Sequence, residues 1–531
     1  MATVTEPLAA DLTRLPEFRN EPGEDFSRPE VRQKYTAAVA AARRQLGQEY
    51  PCLIGWENRE RKSGRTFKSL NPSKTSEVVG VHQDASAEMA REAVTAAAKV
   101  FECWGQTQPE KRIALVRRAA QLLRERKAEY TAWLTLETGK TFPEAAADVE
   151  ETIDFAEYYA RQAVRLFLQP PEMTQLPGER DELRYVPLGV GAVIPPWNFP
   201  SALMAGMTLS AVVCGNTVVL KPSSDSATVA AKFLEILDAA GFPPGVVNLV
   251  TGSGEVAGAA LVEDPRIRFI SFTGSKAVGL QVHERAAKTQ PGQKWIKRTI
   301  LEMGGKDSIL VDEDADLDAA VEGVAVSAFG YQGQKCSACS RAIVHEKIYD
   351  RFLAQLVERA KQITVGPADD PANYMGPVIN ERAMKKIQEY IAIGKKEGRV
   401  ALGGQPVPSG GYYIPPTIIA DLPPTARLAQ EEVFGPVLAV VKCKDFNDGL
   451  AIANNTEYGL TGAVFTRDPA KLERAKNEFF VGNLYLNRKC TGAMVGAHPF
   501  GGFNMSGSDS KAGGPDYLLL FTQAKAIGHK L

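Results

Sequence analysis

Apolar residues in the first third of the chain recur every three or four positions. The spacing runs through EMAREAVTAAAKVFECW, then KRIALVRRAAQLLRERKAEYTAWLTLETG over 111–139, then FPEAAADVEETIDFAEYYARQAVRLF over 142–167. This is the period of helices with one face against a core. Gly105, Pro109, Gly139 and Pro143 punctuate them. Residues 1–50, with Arg32, Lys34, Arg43 and Arg44 among alanines, read as an N-terminal helical extension, and short strands are expected from Ile54. The polar, proline-rich stretch QPPEMTQLPGERDELRY over 169–185 predicts an exposed arm or hairpin. Beyond it the period changes. Short apolar β-rich runs at 217–221, 246–252 and 267–274 alternate with helical patterns at 226–240 and 276–287. Such alternation predicts βαβ units and a parallel sheet, an α/β fold. A second alternating block spans about 301–495. The apolar run YLLLFTQAKAI over 517–527 is expected to form an exposed edge strand that seeks a partner.

Composition narrows the function. With 531 residues and 44% hydrophobic content, two or three domains with large cores are expected. Sixty-two Lys and Arg against 63 Asp and Glu leave the chain near neutral, so neither nucleic acid nor an anionic membrane surface is an expected partner. No apolar run reaches the roughly 18 residues of a membrane span, and the beginning, MATVTEPLAADLTRLPEF, lacks a signal-peptide pattern. Seven dispersed cysteines do not read as a disulfide framework. A cytoplasmic enzyme is the expectation.

Three segments carry candidate chemistry. Cys336 sits in Phe329-Gly330-Tyr331-Gln332-Gly333-Gln334-Lys335-Cys336-Ser337, Glu302 in Leu301-Glu302-Met303-Gly304-Gly305, and Asn198 in the proline-stiffened Pro195-Pro196-Trp197-Asn198-Phe199-Pro200. Thiol, carboxylate and amide are the nucleophile, general base and oxyanion donor needed to capture an aldehyde, oxidise it and hydrolyse the product. Cys336-x-x-Cys339 also fits a redox pair or half a zinc site. However, the five histidines form no metal pattern and no second CxxC exists. Nearby backbone N–H groups, Lys335 or a positively charged cofactor ring would favour the thiolate. Two glycine turns follow predicted strands: Gly252-Ser253-Gly254-Glu255-Val256-Ala257, and Phe272-Thr273-Gly274-Ser275, where Ser275 can cap the next helix. Lys221, ending its strand, reads either as a ribose ligand or as a solvated lysine.

Together PPWNFP, LEMGGK, FGYQGQKC, EEVFGPV (431–437) and PFGGFNMSG (499–507) resemble the aldehyde dehydrogenase superfamily over nearly the whole chain. The resemblance implies Cys336 as nucleophile, Glu302 as base, and Asn198 with the Cys336 N–H as oxyanion hole. It implies a Rossmann-type NAD-binding domain at 51–168 and 186–300, a catalytic domain at 301–505, and an oligomerisation arm at 169–185 and 506–531. NAD contacts are expected from Ile194, Pro196, Trp197, Lys221, Ser224, Gly254, Phe272, Gly274, Ser275, Glu302, Glu432 and Phe434. Many members carry Glu where Ser224 stands, so some NADP tolerance is expected.

QKCSACSR, TGAMVGAHPFGGFNMSG and GGPDYL further resemble the members that oxidise L-glutamate 5-semialdehyde in proline degradation. That implies a substrate site of Glu151, Phe199, Lys335, Ser337, Gly492, Ala493 and Phe500, a monofunctional enzyme, and a homo-oligomer, a dimer or a hexamer of stacked dimers. Gly492-Ala493 suits close approach of a carboxylate to backbone N–H groups. The alternatives are a dehydrogenase for another acid semialdehyde, such as succinate semialdehyde, and an inactive NAD-binding scaffold.

Overall fold

The computed structural model describes residues 15–55, 59–405 and 410–531. Five parallel strands centre the first sheet, in the order Arg298–Glu302, Ile267–Thr273, Val190–Ile194, Thr217–Leu220 and Val247–Leu249. Two short antiparallel strands, Cys52–Leu53 and Glu60–Arg61, extend it. Successive strand residues point to opposite faces. Ala192 and Val219 therefore pack with helices Ala87–Trp104 and Lys276–Ala287. Val193, Val218 and Leu220 pack with helices Pro109–Glu125, Ala202–Val213 and Ala227–Ala240. Coverage on both faces is why these strands read as unbroken apolar runs.

The second sheet repeats the plan. Its order is Arg399–Leu402, Thr417–Ala420, Val437–Cys443, Arg341–His345, Ser308–Val311, Thr461–Phe465 and Asn483–Leu486, antiparallel only at the 399–402 edge. Ile309 and Val344 face one core, Leu310 and Ile343 the other. The chain passes from the first sheet to the second through 303–307, directly after Glu302.

Three expectations need correction. The helical pattern over 111–139 is two helices, Pro109–Glu125 and Lys127–Thr138. They part at Arg126 (φ −105°, ψ 18°), whose guanidinium turns to Glu129. The extension expected to be helical over 1–50 is, among its described residues, helical only at Pro29–Arg43; its first 14 residues lie outside those described. Residues 15–28 run without helix, because Pro16 and Pro22 each lack a backbone donor. The run over 517–527 is not one exposed strand. Tyr517–Phe521 forms a short helix buried in the first core, with Tyr517 stacked on Tyr159 at 5.3 Å and Phe521 edge-on to Phe269 at 5.3 Å. Only Thr522–Lys530 is a strand, paired antiparallel with Glu179–Pro187. The arm anticipated over 169–185 and 506–531 therefore narrows to this ribbon, because the aromatic face of 517–521 is buried in the core.

Candidate active site

The five parallel strands of the first sheet each deliver a polar group at their carboxyl ends, where open α/β sheets hold ligands. Asn198 follows Val190–Ile194, Lys221 follows Thr217–Leu220, Gly254 lies beyond Val247–Leu249, Ser275 follows Ile267–Thr273, and Glu302 ends its own strand. Cys336 arrives from the other domain, between helix Leu317–Phe329 and strand Arg341–His345. The turn that carries it is tight: Tyr331 and Gln332 have φ of 50° and 52°. Tyr331 N–H donates to Glu144 Oε1 at 2.5 Å and Gln334 N–H to Tyr331 O at 2.9 Å.

Asn198 is buried, and its Nδ2 donates to Gln334 O at 3.0 Å, two residues before the sulfur. Glu302 is 9% exposed; its Oε1 accepts from Ser510 Oγ at 2.7 Å and Ser510 N at 3.1 Å, its Oε2 from Gly502 N at 3.2 Å. Burial pushes its carboxyl up to about 7, against the opposing pull of those donors. Gly304 and Gly305 are required by close approach. A Cβ on Gly304 would meet Glu432 Oε2 at 2.2 Å, and one on Gly305 would meet Cys336 O at 2.5 Å. The Cys336 thiol is half-buried and raised well above its ordinary range, by burial and then by Asp307, Glu302 and Glu432. The expected help from Lys335 in favouring the thiolate is not built in. Its amine lies by Gly330 and feels Glu144, and burial lowers its own pKa.

Cys336 and Glu302 line one cavity of about 870 Å³, within the usual range for a small-molecule site. Glu151, Phe199, Lys335, Ser337, Gly492, Ala493 and Phe500 line it too. Burial, then Asp148, pushes the Glu151 carboxyl up to about 8. Two supports escaped the sequence reading. Lys140, 1% exposed, pairs with Asp148 Oδ2 at 2.7 Å and lies 4.0 Å from the Phe199 ring centre and 4.6 Å from that of Tyr331. Asp148 Oδ1 accepts from Ala202 N at 2.8 Å, pinning the helix that follows Asn198. The other support is Ser510, with Gly502. The glycines of PFGGFNMSG were the available signal, since one of them approaches Glu302 by its backbone.

The remaining candidates sit along the edge of the first sheet or across from it. Lys221 is buried, so the solvated reading fails; its Nζ donates to Pro222 O at 2.9 Å and Gly252 O at 3.1 Å, and burial lowers it to about 8. Ser224 Oγ also reaches Gly252 O, at 3.5 Å. Gly254 opens a one-turn helix capped by Ser253, and Ser275 caps Lys276–Ala287 through Val278 N. Val256 and Val278, 39% and 45% exposed, stand on those two turns as apolar walls. Gly274 N–H donates to Glu302 O at 3.0 Å, and its Cα faces the Phe272 ring. Ile194, Pro196 and Trp197 are half-buried, and Trp197 meets Phe434 edge-on at 5.6 Å. Glu432 Oε1 accepts from Gly305 N at 3.0 Å. Buried lysine, two capped helix starts and exposed valines suit ribose, phosphate and adenine, so this edge fits a dinucleotide. Among the described residues no cluster of His, Cys, Asp and Glu is arranged to hold a metal, and no helix is long and apolar enough to cross a membrane.

Known proteins match the chain over nearly its whole length. A model of the aldehyde dehydrogenase family matches residues 58–527. The 1-pyrroline-5-carboxylate dehydrogenase of Geobacillus thermodenitrificans is 53% identical over 510 residues, 96% of this chain and 98% of that protein. The Bacillus subtilis protein of the same name is 51% identical over 508 residues, again 96% and 98%. A solved 1-pyrroline-5-carboxylate dehydrogenase from Thermus with bound NAD superposes with a TM-score of 0.95 at 50% identity, covering 98% of this chain and all of that one.

Proposed function

The chain belongs to the aldehyde dehydrogenase family, and from that premise we propose that it oxidises L-glutamate 5-semialdehyde, the ring-opened form of 1-pyrroline-5-carboxylate, to L-glutamate with NAD⁺, as in the second step of proline degradation. The observation that carries this reading is the meeting of the Cys336 thiol and a Glu302 carboxyl held at about 7 in one cavity. Relatives with the matching name over nearly their full length favour this substrate over succinate semialdehyde. An inactive scaffold has no use for a general base poised near neutral pH.

The Cys336 thiol gives up its proton to solvent, and its sulfur bonds to the aldehyde carbon. The oxygen takes up the negative charge and accepts hydrogen bonds from Asn198 Nδ2 and the Cys336 N–H. NAD⁺, when bound along the edge marked by Lys221, Ser275, Glu432 and Phe434, supplies the hydride acceptor and a positive ring that offsets burial of the thiolate. Loss of hydride leaves a thioester on Cys336. Glu302 takes a proton from water as the water oxygen bonds to the acyl carbon; the C–S bond then breaks, that proton passes to the departing sulfur, and glutamate leaves the regenerated Cys336 thiol. Phe199 and Phe500 flank the aliphatic chain, Gly492 and Ala493 receive the α-carboxylate through backbone N–H groups, and Glu151, Lys335 and Ser337 complete the wall.

The same reading extends to assembly and compartment. The exposed ribbon of Glu179–Pro187 and Thr522–Lys530 leaves free strand edges, and Leu176 beside it is 55% exposed; a second copy of the chain is the partner proposed for it. All seven cysteines are free, in keeping with the cytoplasm. The test is a steady-state comparison of glutamate semialdehyde with succinate semialdehyde, each with NAD⁺ and NADP⁺. The glutamate compound with NAD⁺ is expected to show the highest kcat/KM; preference for succinate semialdehyde refutes the substrate.

A further inference from the structure

We propose that the extended strap at residues 15–28 is a working part of the substrate site, and that Asn20 is its positioning residue, locking the 492–495 loop in the shape that receives the amino-acid end of the substrate. The inference rests on the glutamate semialdehyde reading above. Asn20 Nδ2 donates to Asp154 Oδ2 at 2.8 Å and to Val495 O at 3.1 Å. The next residue completes the grip, with Glu21 N–H donating to Asp154 Oδ1 at 2.6 Å. Both oxygens of a buried carboxylate are thus taken by the strap, and one amide ties helix Phe142–Ala163 to the loop carrying Gly492 and Ala493.

The strap is anchored independently of that amide. The Phe18 ring meets Tyr158 edge-on at 5.1 Å and abuts Gly496, where a Cβ would lie 3.1 Å from it. The Glu21 carboxylate accepts from Arg124 Nε at 2.8 Å, and Glu24 N–H donates to Glu150 at 3.2 Å. Glu21 and Asp154 themselves line the cavity that holds Cys336. The strap also precedes residue 58, where the match to the general family begins. A segment outside the shared scaffold that forms part of the substrate wall is placed to separate substrates rather than to perform the chemistry common to all. A short aldehyde without an amino-acid group makes no use of the 492–495 loop, whereas glutamate semialdehyde does.

The test is Asn20→Ala in the full chain, assayed with glutamate semialdehyde and with propanal. The ratio of the two kcat/KM values is expected to fall at least about tenfold, carried by KM for the semialdehyde, as when binding common to ground and transition states is removed. Asn20→Gln, which keeps the amide, should recover part of the loss. If the alanine variant folds poorly, Asn20→Leu removes the donor at nearly the same size without adding a charge beside Asp154. An unchanged ratio, or equal loss for both aldehydes, overturns the strap's role while leaving the substrate assignment intact. A wild-type enzyme without preference for glutamate semialdehyde over succinate semialdehyde removes the assignment and the inference together.

Discussion

Removing one hydroxyl from the base's surroundings should move the pH at which the acyl-enzyme is hydrolysed. Glu302 must be ionised to take a proton from water. Its carboxyl, held up at about 7 by burial, is therefore idle below neutral pH and active above it, so hydrolysis should rise with pH around 7. Ser510 Oγ donates to Glu302 Oε1 at 2.7 Å, favouring the ionised form; the N–H groups of Ser510 and Gly502 do the same and survive a side-chain change. Hydrogen bonds to charged groups contribute about 1.5–3 kcal/mol. With two donors retained, Ser510→Ala should forfeit about 1.5 kcal/mol, or roughly one pH unit at 1.36 kcal/mol per unit. The rise should then shift upward from about 7 to about 8. The assay is hydrolysis of p-nitrophenyl acetate. A thiol nucleophile forms an acyl-enzyme from this ester without cofactor, giving a burst of nitrophenolate and then a slower phase set by deacylation. The burst should persist in Ser510→Ala while the slow phase shifts. An unmoved midpoint, or one moved to lower pH, refutes Glu302 as the base or Ser510 as the group that tunes it.

Other changes probe other parts of the site. Asn198→Ala should lower kcat with glutamate semialdehyde by about 10²–10³, the usual loss for one oxyanion donor; a fall confined to KM would refute that role. Lys140→Met strands Asp148 in the interior, and breaking a buried pair costs about 3–5 kcal/mol. Its chemical-denaturation midpoint should drop clearly, and an unchanged midpoint would mean the pair contributes nothing. Ser224→Glu sets a carboxylate where a 2′-phosphate would come. Like charges 4 Å apart repel by as much as about 4 kcal/mol at an effective dielectric of 20, so NADP⁺ turnover should fall at least about tenfold relative to NAD⁺; equal loss of both would refute Ser224 as a ribose neighbour.

The groups proposed to carry the chemistry were legible because each lies at a chain discontinuity. Glu302 and Asn198 sit beside glycines or prolines at or just after strand ends, where a βαβ pattern implies convergence, and Cys336 sits in a glycine-rich turn after a helix. The parallel strands were legible too, since burial on both faces leaves runs such as Val218-Val219-Leu220. What local pattern could not convey was tertiary partnership. Lys221 looks like a solvated lysine until its strand is placed between Val190–Ile194 and Val247–Leu249, with the lysine stem against Gly258. Lys140 and Asp148 look like charges on a helix start, yet both are buried and satisfy one another. Ser510 is far from Glu302 in sequence and carries no signal beyond its glycine-rich surroundings. Tyr517–Phe521 reads as an edge strand because it is apolar, and only the aromatic cluster with Tyr159 and Phe269 draws it inward. Pro16 and Pro22 are the local sign that 15–28 is not helix, but where the strap docks is decided by Asp154 and Val495, more than a hundred residues from Asn20.

The link at 303–307 joins the two sheets immediately past Glu302, and its glycines leave no slack against Glu432 and the carbonyl of Cys336. Carboxyl and sulfur thus ride on separate bodies hinged at a point almost within the reaction centre. A small rocking of one body on the other moves the cleft's outer rim far more than the gap between carboxyl and sulfur, because displacement grows with distance from the pivot. Closing of the two halves around a ligand can therefore proceed with the spacing of Glu302 and Cys336 nearly constant.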